Sequence, residues 1–243
     1  MGEKGVRSQA NLKQLTLHLE PKNEVSLDNF CWHKQQGLQN DFLNIGTPFQ
    51  KENFYYIYGA NGSGKSHLLQ ACCHHIPTSQ SSVYLPLKIY AEYGHELLNG
   101  FENQNLIAID DIDVICKDFP FEESLFHLIN RVRQNPDKTL ILAGQHAPNL
   151  TNFNLPDLKS RLHLGLSVLL TPLEDEQKKQ TLKDFAKQRG LVLSDGITEY
   201  LIQHYDRNMH TLTSLIRTLD KASLAAKRKI TIPFIKEVLP NDS

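Results

Sequence analysis

The chain has 243 residues with 26 basic and 27 acidic side chains, so its formal net charge at pH 7 is −1. This balance argues against extensive nucleic-acid contact, which needs a concentration of positive charge. The 4 cysteines include no C-x-x-C pair and therefore predict neither a disulfide framework nor a zinc site. The first residues are polar rather than a signal peptide, and no apolar run approaches the roughly 18 residues of a membrane helix. We therefore expect a cytoplasmic protein without membrane contact.

Residues 1–22 are predicted to form a flexible tail, and its first part, residues 1–13, is polar and lacks periodicity. Within the tail, polar and apolar side chains alternate over Gln14, Leu15, Thr16, Leu17, His18 and Leu19. Two interpretations remain open for this run. It is either an edge strand of the folded core or a short linear motif that docks on another protein. Pro21 ends the run, and the folded part is expected to begin near Leu27.

A glycine-rich stretch fits the P-loop pattern G-x-x-x-x-G-K-[ST] at every fixed position. A predicted strand ends just before it and a predicted helix follows, so backbone N–H groups and a helix N-terminus can surround a phosphate. Lys65 is expected to reach the β- and γ-phosphates, and the Ser66 hydroxyl to bind Mg²⁺. The residues expected to bind the nucleotide here are Gly59, Ala60, Asn61, Gly62, Ser63, Gly64, Lys65, Ser66 and His67.

The run from Cys72 to His75, C-C-H-H, has the composition of a metal site but not its geometry. Consecutive helical residues point about 100° apart and cannot converge on one tetrahedral ion. Leu69, Cys72, Cys73 and Ile76 instead share one helix face at i, i+3, i+4 and i+7. This spacing predicts core packing.

Short apolar strands alternate with helices from Phe54 onward, which is typical of an α/β fold with a parallel sheet covered on both faces. The predicted strands cover residues 54–58, 82–86, 105–109, 139–143 and 167–170, and the predicted helices cover 64–76, 88–99, 122–135 and 156–163. We therefore expect a five-stranded parallel sheet in a nucleotide-binding α/β domain over residues 23–171.

The third predicted strand leads directly into Asp110 and Asp111, which is the Walker B pattern of an apolar strand followed by acids. Asp110 is expected to hold the Mg²⁺ ion, largely through its waters. Asp111 stands where an attacking water would be polarised, although its side chain is one methylene shorter than glutamate. Solvated loop residues are the alternative, and the upstream P-loop favours the metal interpretation.

Two later positions allow both a functional and a plain structural interpretation. Gln145 follows the fourth strand, where it would either orient a water toward the γ-phosphate or serve as a turn residue. Asp157 and Arg161 lie four residues apart on a short predicted helix. They would form an exposed ion pair, or Arg161 would be an arginine finger for the γ-phosphate of a neighbouring subunit.

Residues 172–243 carry no strand signal and are predicted to form a separate α-helical lid. Thr171, Pro172 and Glu174 match a capping box with proline at N1, which predicts a helix from there to Arg189. Further helices are predicted at 195–205, 209–226 and 233–239.

Together these motifs resemble the AAA+ family of P-loop proteins, and within it the relatives of the replication initiator DnaA. The segment Leu27–Phe30 resembles the one before the adenine pocket, and Leu106–Asp111 resembles the family's Walker B with its double aspartate. Asp157–Leu162 resembles box VII, which implies that Arg161 is the arginine finger. No counterpart of the initiator's DNA-binding domain follows the lid, so little direct DNA binding is expected.

A closer resemblance is to the regulatory members of the DnaA-related family. It is carried by the end of the lid, from Thr211 to Glu237, and by Gln14–Leu17, which resembles the Q-L-x-L motif that docks in the sliding clamp. The implied role is to join the DNA-loaded clamp to ATP-bound DnaA and stimulate ATP hydrolysis by DnaA. The resemblance implies bound ADP, or ATP, with Mg²⁺, and leaves a homodimer open.

One position departs from the family pattern. The lid residue that is usually the sensor II arginine is His210 here. Arginine is permanently charged, whereas histidine with an ordinary pKa is mostly neutral at pH 7. We therefore expect weak or no intrinsic ATPase activity.

Two rival classes share the P-loop core. A helicase loader or AAA+ motor would bind single-stranded DNA through a basic groove with aromatics, which the neutral charge balance disfavours. A small-molecule kinase would need an acceptor site, and the sequence shows no insertion between core strands that could form one.

Overall fold

The computed structural model describes residues 25–32 and 36–239. Its strands are β1 (Phe54–Tyr58), β2 (Ser82–Pro86), β3 (Leu106–Asp110), β4 (Thr139–Gly144) and β5 (Leu166–Leu169). Its helices are α1 (Gln36–Leu43), α2 (Lys65–His75), α3 (Leu87–Tyr90), α4 (Phe119–Arg133), α5 (Pro156–Leu162), α6 (Asp175–Gln188), α7 (Asp195–His204), α8 (Met209–Ala226) and α9 (Ile232–Val238). The run at residues 14–19, interpreted above as either an edge strand or a docking motif, lies outside the described residues.

The five strands form one parallel sheet in the order β2-β3-β4-β1-β5. The α/β prediction is confirmed, and each predicted strand agrees with the observed one to within one residue at either end. In this order the ends of β1 and β3 open at the same edge of the sheet, separated by β4. Ligands bind at this carboxyl edge in open α/β sheets, so the sheet brings the P-loop and the Walker B acids together.

The sheet is buried on both faces, which explains the continuous apolar runs in its strands. In β1, Phe54 and Tyr56 pack into the core on one face with α4, while Tyr55 and Ile57 pack into the core on the other with α2. The α2 face of Leu69, Cys72, Cys73 and Ile76 is buried as predicted. Among the described residues no group of acidic, histidine or cysteine side chains forms a metal cluster.

The prediction of one continuous helix over residues 88–99 is wrong. The structure has only the single turn of α3, followed by 3-10 turns at Ala91–Tyr93, His95–Leu98 and Phe101–Asn103. Gly94 interrupts the helix with a φ of 82°, a left-handed value that the α-helix does not allow. Leu97 and Leu98, which contributed to the apolar pattern, are nevertheless buried in the core, although they lie in a 3-10 turn.

The first lid helix begins later than predicted. The capping box was expected at Thr171, but the N-cap of α6 is Glu174, whose backbone N–H donates to Gln177 Oε1 at 3.0 Å. Residues before it stay extended because the Leu170 N–H donates to Tyr58 O at 2.8 Å, continuing the sheet into the linker. Pairing with β1 therefore takes precedence over the local helix signal.

The lid has a hydrophobic core of its own. Its fully buried members come from all four lid helices and include Leu182, Leu201, Leu212, Ile216, Leu219 and Ile235. Contacts between α6 and the 3-10 turn at Leu27–Asn29 place the lid against the N-terminal segment. No helix in the described part of the chain has the length and apolar character needed to cross a bilayer.

Candidate nucleotide site

The P-loop occupies the turn between β1 and α2, and two of its positions require glycine, one because of a close neighbour and one because of its backbone conformation. A Cβ on Gly59 would overlap Leu170 O of the linker, and Gly64 has a φ of 94° with Phe30 against it. Lys65 is buried, and its Nζ donates to Gly59 O at 2.7 Å and to Ala60 O at 3.0 Å. The carbonyl groups of the P-loop therefore hold the ammonium group of Lys65 within the loop.

The expected metal ligands lie side by side. The Tyr84 hydroxyl donates to Asp110 Oδ2 at 2.9 Å, and the Ser66 side chain lies close enough to this carboxyl group to influence its ionisation. Burial raises the pKa of Asp110, while the neighbouring Ser66 and Tyr84 hydroxyls lower it. A hydroxyl and a carboxylate are oxygen ligands of the kind Mg²⁺ takes when phosphates and waters complete its shell.

The donor set fits a nucleotide phosphate with its cation. Burial lowers the pKa of Lys65 because the charged ammonium is poorly solvated there. An anion beside it would stabilise the charged form. The Ser63 hydroxyl is buried in the loop without a hydrogen-bond partner among the described residues. A phosphate would accept from Lys65 and Ser63, and Mg²⁺ would be held by Ser66 and Asp110. Such a cation supplies charge neutralisation at the phosphates when bound.

A cavity of about 910 Å³ opens from this loop, within the range of small-molecule and cofactor sites. Three parts of the chain form its walls: the N-terminal segment with Phe30 and Trp32, the P-loop, and the lid with Phe185 and Arg217. A nucleotide here would contact all three parts at once.

The predicted nucleotide residues lie at different distances from this cavity. Its lining includes Asn61, Gly62, Ser63, Gly64, Lys65, Ser66, His67, Asp111 and His210, with Gly59, Ala60 and Asp110 directly behind. His67 Nε2 is 3.1 Å from Asn29 Oδ1, which links the start of α2 to the N-terminal segment. Gln145 is exposed and is absent from the lining of the described cavity, and its backbone N–H donates to Asp113 Oδ2 at 2.7 Å.

Arg161 lies away from this cavity, on α5. Its guanidinium carbon is 5.7 Å from the centroid of the Phe126 ring, a cation–π distance, and the side chain is partly exposed. Within residues 36–239 no ion pair joins it to Asp157, so the ion-pair interpretation finds no support. The side chain is held at one end by an aromatic ring and remains accessible to a partner.

A buried carboxylate fixes the loop that leads into α5. Glu122, in the first turn of α4, is fully buried. Its Oε1 accepts from the backbone N–H of Lys117 at 2.7 Å and of Asn154 at 3.0 Å, and its Oε2 accepts from Leu155 N–H at 2.7 Å. Leu155 is the N-cap of the helix that carries Arg161. One side chain thus joins the segment after β3 to the base of α5.

We expect Glu122→Ala to lower the free energy of unfolding by about 2 kcal/mol or more, because three backbone N–H groups lose a shared, charged acceptor. Urea unfolding followed by circular dichroism measures this. Glu123→Ala is the matched control, since that neighbouring side chain is exposed and should change stability by less than about 0.5 kcal/mol. Equal stability of the two variants would contradict the assigned role of Glu122.

The sequence interpretation missed Tyr84, Glu122 and Lys88. Lys88 Nζ lies 3.2 Å from Asp111 Oδ1, and Lys88 also lines the cavity. The signal for Lys88 and Tyr84 is the pairing of β2 with β3, which sets Tyr84 and Pro86 beside the Walker B strand. Strand order is a tertiary property, so local patterns could not reveal it.

Comparison with known families supports the same interpretation. The sequence model of the family described as bacterial DnaA ATPase domain matches residues 43–169, and that of the Hda lid domain matches residues 175–239. A relative from Haemophilus influenzae, described as an uncharacterized protein, is 36% identical over 228 residues, covering 93% of this chain and 98% of the relative.

Solved structures share the fold at low identity. Domain III of the Thermotoga maritima replication initiation protein DnaA has a TM-score of 0.74 at 19% identity, over 91% of this chain and 97% of that one. DnaA from Aquifex aeolicus bound to AMPPCP has a TM-score of 0.65 at 22% identity, over 86% and 69%. The Thermotoga maritima RuvB Holliday junction branch migration motor has a TM-score of 0.65 at 15% identity, over 90% and 72%.

Proposed function

This chain belongs to the DnaA-related AAA+ family, and from that membership we propose that it is a negative regulator of replication initiation. In this proposal the chain binds the DNA-loaded sliding clamp and stimulates ATP hydrolysis on DnaA through Arg161. The observation that carries the proposal is a DnaA-type core, residues 43–169, joined to a lid that matches the Hda lid domain over residues 175–239.

The chain's own nucleotide acts as a structural ligand in this proposal, with ADP the expected occupant and Mg²⁺ held by Ser66 and Asp110. Support comes from the cavity, whose walls are shared by the N-terminal segment, the P-loop and the lid. A ligand that contacts three parts stabilises their arrangement by mass action. His210 lines the same cavity where the family usually has an arginine. Because histidine lacks the permanent charge of arginine, weak intrinsic hydrolysis is expected.

Arg161 acts on a second molecule in this proposal. Its guanidinium lies over Phe126 and outside the chain's own cavity, so it is not arranged to contact a nucleotide bound in cis. An arginine supplied in trans stabilises the charge that develops on the transferred phosphoryl group. Family membership is the reason to propose DnaA as that second molecule.

The clamp anchor is proposed from the sequence, because Gln14–Leu19 lies outside the described residues. The spacing of Leu15 and Leu17 lets an extended peptide place both side chains into pockets of a groove. Burying two leucines contributes about 1.5–3 kcal/mol each, which predicts at least a tenfold loss of clamp affinity when both are removed.

Reconstitution tests the proposal. DnaA carrying labelled ATP is incubated with clamp loaded on DNA, with and without this chain, and the labelled product is measured. We expect hydrolysis to accelerate when both the chain and the loaded clamp are present. No acceleration with all components present would contradict the regulatory function. Tight, salt-dependent binding of free single-stranded DNA would instead favour a helicase loader.

The tail variant with Gln14, Leu15 and Leu17 replaced by alanine tests the anchor within the same assay. We expect it to lose clamp binding and clamp-dependent stimulation while its melting temperature stays unchanged. A lower melting temperature with unchanged clamp binding would show that the run is an edge strand of the core.

A further inference from the structure

A second lysine stands at the carboxyl edge of the sheet beside the Walker B acids. In the pairing of β2 with β3, Pro86 lies opposite Asp110. Two residues past Pro86, in the single turn of α3, Lys88 extends to Asp111, with 3.2 Å between Nζ and Oδ1. Asp111 has a left-handed φ of 57°, and its N–H donates to Asp110 Oδ1 at 2.9 Å. The backbone of Asp111 is therefore fixed, and Lys88 reaches its carboxylate from the helical turn that follows β2.

This lysine belongs to the nucleotide cavity rather than to the outer surface alone. Lys88 and Asp111 both line the cavity with Lys65 and Ser66. Burial is the main cause that lowers the pKa of Lys65, Asp110, Asp111 and Asp113 oppose it, and the positive charge of Lys88 has the smallest effect. The shared cavity lining therefore places Lys88 at the nucleotide site.

The cationic side chains that line the cavity lie at different positions, and we expect each to contact a different part of a nucleotide. Lys65 is bonded to the P-loop carbonyls, and the Arg217 guanidinium carbon lies 5.6 Å from the centroid of the Phe185 ring in the lid. Lys88 instead lies next to the residue that follows Asp110, at the metal end of the site. Ser66 and Asp110 would hold Mg²⁺ at this end, where the cation would neutralise the terminal phosphates of a bound nucleoside triphosphate.

We propose that Lys88 recognises the γ-phosphate and sets this chain's relative affinity for ATP and ADP. When a γ-phosphate is present, the Lys88 ammonium exchanges its ion pair with Asp111 for a contact with a phosphate oxygen. The inference rests on the proposed function only in requiring that the P-loop binds an adenine nucleotide. It does not depend on DnaA or on the clamp.

Charge gives the physical reason. A γ-phosphate would be placed beside Asp110 and Asp111, and the charge of Lys88 would reduce the remaining repulsion in addition to any bound Mg²⁺. ADP ends at the β-phosphate, which Lys65 is expected to contact. Lys88 should therefore contribute much less to the affinity for ADP than to the affinity for ATP. Exchanging the ion pair costs little free energy, because solvated ion pairs contribute little net stability. The side chain of Lys88 is 54% exposed and that of Asp111 is 18% exposed.

The test compares affinities rather than turnover. Dissociation constants for ADP and for the non-hydrolysable analogue AMPPCP are measured with Mg²⁺ by calorimetry, for the wild-type chain and Lys88→Ala. We expect the variant to bind AMPPCP about tenfold or more weakly, the loss of one charged hydrogen bond, and to bind ADP less than about threefold more weakly. Lys88→Arg keeps the charge and should keep most of the AMPPCP affinity.

Two further variants sharpen the result. Lys229→Ala removes an exposed lysine of the lid that does not line the cavity, and should change neither constant. Asp111→Asn frees Lys88 and removes a repelling charge, so the ratio of AMPPCP to ADP affinity should rise. The rise in this ratio should be smaller in the double variant with Lys88→Ala, since part of the effect of Asp111→Asn depends on the lysine.

An equal loss of affinity for both nucleotides in Lys88→Ala, or no loss for either, would overturn the inference and leave Lys88 as a surface ion pair. Both results leave the proposed regulatory function untouched, because the wild-type chain would still bind nucleotide. Failure of the wild-type chain to bind either nucleotide would overturn both. Unchanged melting temperatures without nucleotide establish that the Lys88 variants are folded.

Discussion

Replacing Arg161 by alanine is expected to abolish the stimulation of ATP hydrolysis on DnaA, while the variant still binds nucleotide and the clamp. An arginine finger acts on charge that develops in the transition state, and its loss lowers the rate by about 10³–10⁵-fold. Arg161 lies outside the chain's own cavity, so removing it takes nothing from the nucleotide site. The measurement is the rate of labelled ATP hydrolysis in the reconstituted reaction.

Two control variants separate a finger from general surface charge. Lys159→Ala removes a neighbouring cation on the same helix and should leave the rate unchanged. Arg161→Lys keeps the charge without the planar guanidinium, and should recover only a small part of the rate. The contact with Phe126 contributes about 0.5–1 kcal/mol, so Arg161→Ala should unfold at nearly the wild-type urea concentration. Stimulation at the wild-type rate by Arg161→Ala would reduce the residue to a surface cation.

The sequence predicted those parts of the fold that local chemistry determines. The strands were found because each is a short apolar run between turns, as a sheet buried on both faces requires. The P-loop was found because its glycines, lysine and serine form one motif of consecutive residues between a predicted strand and a predicted helix. In both cases the controlling interaction is encoded within a few consecutive residues.

The errors came where tertiary contacts overrule local signals. Helix α1 was missed because its sequence is mostly polar, and it is held by Phe42, whose ring is fully buried against Trp32 and Tyr55. The start of α6 was misplaced because Leu170 continues the sheet by pairing with Tyr58. These contacts join residues far apart in the chain, so no local pattern contains them.

The candidate site shows the same division. Lys65, Ser66 and Asp110 were predicted from motifs, and they lie together because the carboxyl ends of β1 and β3 share one edge of the sheet. The place of Lys88 beside Asp111 follows from strand order, which motifs do not specify.

Lys65→Ala is expected to weaken ADP binding by about 10²–10³-fold. Truncating one partner of a buried charged contact costs about 2–5 kcal/mol, and Lys65 is the buried cation of the P-loop. A ligand that binds only the native state stabilises it by RT ln(1 + [L]/Kd). At ADP equal to 100 times the wild-type Kd this is about 2.7 kcal/mol, and a hundredfold weaker Kd leaves about 0.4 kcal/mol.

The change in melting temperature on adding ADP is the measurement that isolates this effect. For a chain of this size the wild-type increase should be roughly 5–10 °C, and that of Lys65→Ala roughly 1–2 °C. The variant also loses the hydrogen bonds from Nζ to Gly59 O and Ala60 O, which lowers its stability without ligand. The increase is therefore compared within each protein, and Lys51→Ala, an exposed lysine outside the cavity lining, should show the wild-type increase. Equal increases from ADP in Lys65→Ala and wild type would mean that the lysine does not contact the phosphates.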